Sequence, residues 1–354
     1  MSNLPSGEIP RGAIRFNTDS NKPELWDGSQ WAEFQLSTPN LGQGSDTQPG
    51  ARGVMMGGYG PSPTTYSDKI DYINIASTGD SVSFGDLTIS VYESSGCASQ
   101  TRGLMMGGES PGNNNTINYL TISSTGNAQN FGDTIGAGTA AKFRSSCSSS
   151  TRGIVAGGST GPGDGVTDAD YVTIASTGNS VDFGDLTQGR YYTYSCSSPV
   201  RGVWAAGTTD SPVAEYNIID FVTISTLGNA QDFGDTGSTR NRGGALSNSV
   251  RGIFAGGYIP TAPTTTNSIE HITFTSKGNS QNFGDLSAAR FQCSGMASPT
   301  RGVFANGTGA SPFPVVNTID YVTIMTEGNA VDFGDLANNL RNGVAACSNA
   351  HGGL

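Results

Sequence analysis

Residues 52–58 read RGVMMGG, and the same pattern, Arg-Gly followed by an apolar run and a pair of small residues, occurs six times along the chain. Its arginines are separated by 50, 50, 49, 50 and 50 residues. Two other elements recur with it, a segment such as DYVTIASTG (170–178) and the triplet FGD, first found at 84–86. Self-similarity at a fixed period of about 50 residues indicates a repeat architecture.

Each repeat reads as four short strands. In the last complete repeat, RFQCSGMAS (290–298) is predicted as strand A, RGVFANG (301–307) as strand B, IDYVTIMT (319–326) as strand C and NAVDFGD (329–335) as strand D. Gly, Asn and Pro between these segments are typical of tight turns. Four antiparallel strands in each of six repeats predict an all-β fold, a six-bladed β-propeller over residues 41–354.

The two ends of the repeat array predict how the propeller closes. The first repeat has no strand A before Arg52, whereas one additional strand A, residues 341–348, follows the last FGD triplet. We therefore expect the C-terminal strand to complete the first blade. The spacing from Phe333 assigns His351 and Gly352 to the position that Arg-Gly holds in the other repeats.

The repeats resemble kelch repeats. The arginine at the start of strand A (Arg190 is one example), the di-glycine after strand B and the tyrosine of strand C all match that pattern. The triplet FGD departs from it, because kelch repeats usually carry Trp in strand D. The resemblance implies a kelch-like propeller but no particular function, since such propellers serve as adaptors, enzymes and structural proteins.

Residues 1–40 lie outside the repeats and are predicted to form a small β-hairpin docking module and linker. Alternating residues and the Asp-Gly pair at 27–28 favour short strands joined by turns. About thirty residues of β-structure bury too little surface to be stable alone, so the module should pack on the propeller or on another chain. Trp26 and Trp31 are its predicted docking residues. The sequence GAIRFNTDSNKPELWDGSQW (12–31) is similar to a module of tailed-bacteriophage tail fibres. The sequence of the repeats is similar to that of phage-encoded propellers. These resemblances imply a virion component.

Composition disfavours several classes of function. The net charge of −11 argues against nucleic-acid binding. No apolar stretch of 18 residues occurs, so no membrane insertion is predicted. The N-terminus also lacks the basic-then-apolar order of a signal peptide. Five cysteines without a CxxC pair are predicted to be buried apolar residues. Only two histidines occur, both interpreted as structural, so we expect no catalytic residues, no metal and no cofactor.

The loops between strands B and C differ in every repeat, whereas the A–B and C–D turns are nearly constant. B–C and D–A loops emerge on one face of a blade, so this loop face is predicted to bind a partner. The alternative is that these loops vary because nothing constrains them. The candidate binding residues are Tyr59, Tyr66, Asn113, Asp164, Tyr216, Tyr258 and Phe313.

Two charged residues recur once in each blade and are interpreted as structural, bonding turn backbone and the neighbouring blade. The arginines are Arg52, Arg102, Arg152, Arg201, Arg251 and Arg301. The aspartates are Asp86, Asp133, Asp185, Asp235, Asp285 and Asp335. A Ca²⁺ ring is disfavoured because one Asp per blade without DxDxDG spacing supplies too few ligands.

The sequence thus predicts a non-enzymatic phage virion structural protein, assembled in the host cytoplasm and present in multiple copies per particle. Its expected role is a tail fibre or tail-associated adhesin that docks on other virion proteins through its N-terminus. Its loop face would bind a glycan or protein of the host surface. Two alternatives stay open, a decoration protein of capsid or tail without receptor binding and a glycan-active propeller enzyme.

Overall fold

A computed structural model describes residues 9–17, 22–26, 28–33, 51–61, 64–135, 141–161, 164–210, 212–260, 264–336 and 341–354. The chain divides into two units, Met1–Gln43 and Gly44–Leu354, and the predicted boundary between residues 40 and 41 lies outside the described residues. Within these ranges all regular elements are strands. No helix long and apolar enough to span a membrane occurs in them.

In the second unit each blade is an antiparallel sheet with the strand order A–B–C–D, which confirms the six-bladed propeller. Blades two to six have four strands, and blade one has a fifth, Tyr59–Pro61. From blade one to blade six, the A strands are Ala345–Ser348, Ser95–Ala98, Ser145–Ser148, Tyr194–Ser197, Gly244–Ser247 and Ser294–Ala297. The B strands are Arg52–Met56, Arg102–Glu109, Arg152–Ala156, Arg201–Ala205, Arg251–Ala255 and Arg301–Ala305. The C strands are Thr64–Asn74, Asn113–Thr121, Asp168–Thr173, Ile218–Thr223, Ser268–Thr273 and Thr318–Thr323. The D strands are Val82–Val91, Gln129–Asp133, Val181–Asp185, Gln231–Asp235, Gln281–Asp285 and Val331–Asp335.

Short additional strands extend the loop face. They are Tyr59–Pro61, Thr208–Asp210, Val213–Glu215, Tyr258–Ile259, Thr264–Thr265, Arg290–Phe291 and Thr308–Gly309. In blade four, for example, Thr208–Asp210 pairs with Val213–Glu215. The B–C connections on this face are thus partly built as hairpins.

The A strands surround a central channel, each contacting the A strands of both neighbouring blades. Their small side chains allow this approach, and serine hydroxyls join the strands. Ser197 Oγ donates to the Ser148 carbonyl at 2.7 Å, and Ser247 Oγ donates to the Ser197 carbonyl at 2.7 Å. Small residues therefore line the axis of the propeller.

The FGD triplet forms a β-bulge that joins neighbouring blades. In blade four, Asp220 pairs with Asp232 and Ile219 with Gly234, so Phe233 is the additional residue of strand D. The Phe233 ring is buried edge-on against Phe221, with ring centres 5.9 Å apart. A Cβ at Gly234 would lie 2.4 Å from the backbone of Gly278 in the next blade, so only glycine fits there.

The C-terminal strand closes the propeller as predicted, since Ala345–Ser348 pairs antiparallel with Arg52–Met56. Asn349 completes the A–B turn of blade one across this junction. Its side chain accepts a hydrogen bond from the Arg52 amide at 2.8 Å, as the Ser99 hydroxyl does for Arg102 in blade two. The first and last repeats are therefore joined by the same turn contacts that operate within a blade.

The predicted A strands began too early. Strand A of blade six starts at Ser294 rather than at Arg290, and the closing strand starts at Ala345 rather than at Arg341. The reason is a residue with positive φ, Gln292 at 56° and Gly343 at 58°, which breaks the extended backbone.

An arginine near strand A is buried against an acidic side chain of strand C in five blades. The pairs are Arg144–Asp170 (2.8 Å), Arg190–Asp220 (2.9 Å), Arg240–Glu270 (3.3 Å), Arg290–Asp320 (3.0 Å) and Arg341–Asp71. Thus Arg190, assigned to strand A by the kelch resemblance, instead precedes that strand as a fully buried ion-pair partner. Blade two carries Val91 and Asn118 at the two positions, both buried, so the charged pair is replaced there by a neutral one.

The N-terminal unit is a three-stranded meander, Ile14–Asn17, Lys22–Trp26 and Trp31–Glu33, as the alternating pattern predicted. Trp26 pairs directly with Trp31, and their rings lie 5.5 Å apart. The Asp27 of the predicted Asp-Gly turn lies outside the described residues.

Candidate binding site

The six repeat arginines connect neighbouring blades. Each donates a hydrogen bond from Nη1 to a carbonyl just after strand C of the following blade, for example from Arg102 to Ile174 at 2.8 Å. Five of the guanidinium groups also lie 4.3–4.8 Å from the centre of an aromatic ring in their own blade. His271 takes the place of that ring beside Arg251, and it packs edge-on against Phe283 at 5.9 Å.

The six repeat aspartates bind the neighbouring blade through their backbone rather than through their carboxylates. The amide of Asp133, for example, donates to the Asn179 side chain at 3.0 Å, and an equivalent contact occurs at each FGD triplet, with Asp80 in place of the asparagine for Asp335. The side chains point elsewhere, as when Asp86 accepts a hydrogen bond from Lys69 at 2.6 Å. Among the described residues, no group of three His, Cys, Asp or Glu side chains could hold a metal ion.

The seven loop residues predicted to bind are distributed around the loop face and do not form one site. Tyr59 and Tyr66 pack against each other and Tyr92, with ring centres 5.4–6.3 Å apart, so they are half-buried. Tyr258 packs on Phe291, which in turn contacts Phe313. Of these aromatic residues only Phe313, 44% exposed, projects into solvent.

The other three predicted residues have separate surroundings. Asn113 Nδ2 donates to the Thr160 carbonyl of blade three at 3.2 Å. Asp164 is exposed, and the backbone of the half-buried Tyr216 donates to the Gly207 carbonyl at 2.9 Å. Neither Asn113 nor Tyr216 is thus a freely projecting loop residue.

The structure reveals a different cluster, which we call the channel mouth. It contains one residue per blade, and each has φ between 47° and 62°. Each stands four positions before a fixed position of strand A, the strand A marker, which is held by Cys347, Cys97, Cys147, Cys196, Leu246 and Met296 in blades one to six. Its members are Glu93, Phe143, Tyr192, Arg242, Gln292 and Gly343. Four hydrogen bonds between their backbones link neighbouring blades, such as the one from the Arg242 amide to the Tyr192 carbonyl at 3.1 Å.

One half of the channel mouth is polar. Because Gly343 has no side chain, Glu93 and Gln292 from the two flanking blades meet across it, and Gln292 Nε2 donates to Glu93 Oε1 and to the Tyr92 hydroxyl. A Cβ at Gly343 would lie 2.5 Å from the Tyr92 ring. Burial raises the pKa of the Glu93 carboxyl, and the nearby Arg242 guanidinium offsets only part of that rise.

The other half of the channel mouth is a stack of flat side chains. The Phe143 and Tyr192 rings are nearly parallel, with centres 4.4 Å apart, and the Arg242 guanidinium lies 4.0 Å from the Tyr192 ring centre. Charged, amide and aromatic groups thus converge around a cavity of about 100 Å³.

Below the mouth, the A strands enclose a channel of about 180 Å³ lined by small residues and cysteines. The C-terminal residues cross its opposite end. His351 Nε2 lies 2.8 Å from the Ala98 carbonyl, and Nδ1 accepts a hydrogen bond from the Gly353 amide at 3.0 Å. Burial lowers the pKa of His351, and the Ala98 contact offsets part of that effect.

The assignment of His351 to the arginine position was wrong. The sequence has 14 residues from Phe333 to Cys347, against 13 from Phe283 to Met296, so the spacing from FGD misaligns the terminus by one residue. The arginine position of blade one is also already held by Arg52, whose strand pairs with the closing strand, so the residues after Ser348 form no B strand and His351 lies in the channel floor. All five cysteines are buried and unpaired, as predicted.

The channel mouth was not predicted because its residues lie in the D–A loops, whereas the variation in sequence is most evident in the longer B–C loops. A signal was present. The residue four before the strand A marker is Glu, Phe, Tyr, Arg, Gln or Gly in the six repeats, although its surroundings repeat.

No family model matches the chain, and no curated protein is significantly similar to it in sequence. The interpretation of the site therefore depends on its own residues.

Proposed function

We propose that the chain is a non-enzymatic attachment protein of a bacteriophage particle, anchored by its N-terminal meander and binding the host surface with its loop face. The proposed location in a virion is supported by the resemblance of residues 12–31 and of the repeat sequence to phage proteins. The binding role is supported by the asymmetry between the two faces. One carries the same contacts in each blade, and the other carries varied loops and the channel mouth.

The channel mouth carries the argument for binding. Left-handed backbone favours glycine, and Gly343 demonstrates that the repeat accepts it there. The other five positions nevertheless hold large side chains, at a cost of about 1–3 kcal/mol each for such backbone. Strain of this kind concentrates at ligand sites, where the side chains are needed for their chemistry.

The attachment half of the proposal is tested with Phe313→Ala in the full chain, measuring binding of the labelled protein to host cells. Truncating an exposed aromatic residue at an interface should cost about 1 kcal/mol or more, or about fivefold in affinity. Val331→Ala, on strand D of the same blade and 53% exposed, is the matched control and should bind like the parent. Both variants should keep the parental stability within about 0.5 kcal/mol. Equal attachment by all three proteins would favour the decoration role.

The anchoring half concerns the N-terminal unit. Trp26 and Trp31 were predicted to dock, yet they pack on each other, with Arg15 4.3 Å from the Trp31 ring centre. The other face of the meander exposes Ile14 by 67% and Phe16 by 59%. We assign docking to this second face.

The double variant Ile14→Ser, Phe16→Ser should therefore be absent from purified particles although its propeller folds. A chain of residues 41–354 should behave in the same way. Quantitative protein analysis of particles grown with each variant provides the measurement. Normal incorporation of the shortened chain would contradict anchoring by the N-terminus.

A further inference from the structure

We propose that the channel mouth binds one neutral sugar residue of a surface glycan. The inference rests on the proposed attachment function and adds to it the place and the chemistry of recognition. It concerns Glu93, Phe143, Tyr192, Arg242 and Gln292, none of which the sequence had suggested.

Two buried polar atoms in the mouth form no hydrogen bond of good geometry, although Tyr92 and Tyr192 interact with the Glu93 carboxyl and Tyr192 interacts with Arg242. Oε2 of Glu93 accepts no well-formed hydrogen bond, although Oε1 is bound by Gln292, and Nε of Arg242 has no acceptor. Buried polar atoms are ordinarily paired, so each such atom calls for an explanation. A ligand that donates to Glu93 and accepts from Arg242 would satisfy both atoms.

The charges in the mouth favour a neutral ligand. Glu93 and Arg242 approach each other from opposite blades, so an anion would be repelled by the carboxylate and a cation by the guanidinium. The net charge of −11 also disfavours acidic glycans at long range. Adjacent hydroxyl groups of a sugar meet the requirement, because one hydroxyl donates to a carboxylate while its neighbour accepts from an arginine.

The stacked half of the mouth offers an apolar surface. The Phe143 and Tyr192 rings stack on each other, and Arg242 and Lys142 lie over them, so ring edges rather than ring faces form the apolar wall of the cavity. Such a wall can contact the C–H groups of a sugar ring. The cavity measures about 100 Å³, smaller than the cavity of roughly 150 Å³ that holds a whole benzene ring in another protein. The mouth therefore admits the edge of one ring, which fits a terminal or branching residue of a glycan.

A peptide could also present an N–H and a carbonyl to the two groups. The sugar is favoured because its hydroxyls both donate and accept at neighbouring atoms, so a single ring edge reaches both partners. A peptide ligand is accordingly one of the outcomes that the test separates.

The full-length chain should be labelled and applied to an array of neutral glycans, acidic glycans and peptides. It should then be titrated with free glucose, galactose, mannose and N-acetylglucosamine by NMR. We expect binding to neutral glycans, with at least a tenfold loss for Glu93→Gln and for Arg242→Gln. Asp332→Asn, an equivalent change at an exposed position of strand D in blade six, should leave binding unaltered.

A measurement on the unaltered chain keeps the test valid if either mouth variant misfolds. On titration with the bound sugar, the amide signals of Glu93, Tyr192 and Arg242 should shift, and those of strand D should not. Shifts confined to other residues would overturn the proposal. So would binding of peptides or acidic glycans alone, equal binding by Glu93→Gln, or no binding to the array.

Host-cell attachment separates this inference from the function on which it rests. If Phe313→Ala weakens attachment and Glu93→Gln does not, the attachment role stands and the sugar site in the mouth is wrong. If the parent protein does not attach to host cells at all, the proposed function itself fails.

Discussion

Removal of residues 341–354 should cause aggregation or lower the melting temperature by more than about 10 °C, where each kcal/mol corresponds to roughly 1–2 °C in a protein of this size. The deletion removes strand A of blade one, the Asn349 turn contact and the Arg341 partner of Asp71. Strand Arg52–Met56 would then present unpaired backbone groups beside Val54, Met55 and Met56, which are at most 1% exposed in the closed ring. Such an edge promotes aggregation.

The control is removal of residues 1–14, which lie in the other unit. That chain should melt as the parent does. Calorimetry and gel filtration of the two shortened proteins provide the comparison. A monomeric C-terminal deletion that melts within a few degrees of the parent would refute closure by this strand.

Asp220→Asn should lower the free energy of unfolding by about 3–5 kcal/mol, because it leaves the buried Arg190 charge without a counter-ion. Both side chains of this pair are fully buried, 2.9 Å apart. The amide itself is tolerated in this setting. In blade two Asn118 accepts the hydrogen bonds from Thr88 that Asp220 accepts from Thr187.

Blade two indicates a second substitution that should restore stability to the Asp220→Asn variant. The double change Arg190→Val, Asp220→Asn copies the Val91 and Asn118 of blade two, and it should recover at least half of the lost stability. Urea unfolding of both single variants and the double variant measures the coupling between the two sites. The exposed Asp332→Asn should change stability by less than about 0.5 kcal/mol. Additive losses in the double variant would contradict the role of the uncompensated charge.

The architecture could be predicted from the sequence because the same residues recur at the same spacing. Arg102, Phe131 and their counterparts mark the strands, and the surplus strand after Phe333 indicates the closure. Each of these features depends on local patterns that the fold repeats six times.

The candidate site could not be predicted in the same way. The positive φ of Tyr192 and Arg242 depends on hydrogen bonds between blades. A large aromatic or charged residue in a sequence does not indicate that its backbone has a positive φ. The buried ion pairs depend on the fold in a similar way. Four of the five arginines stand six residues before the strand A marker, but Arg144 reaches its acid from three residues before Cys147, and only the pairing of strands shows that each faces an acid of strand C.

Closure by the C-terminal strand also means that the first blade stays incomplete until synthesis is nearly finished. Arg52 begins the strand that must pair with Ala345–Ser348, and about 290 residues separate them in the chain. At roughly 5–20 residues per second, the ribosome needs about 15–60 s to deliver the partner. Throughout that interval the first blade has only three strands, and the edge of Arg52–Met56 is unpaired. The same edge of another nascent chain could pair with it. Slower growth of the producing cells lengthens this exposure, and chaperones that cover a β-edge are the factors we expect to determine the yield of closed rings.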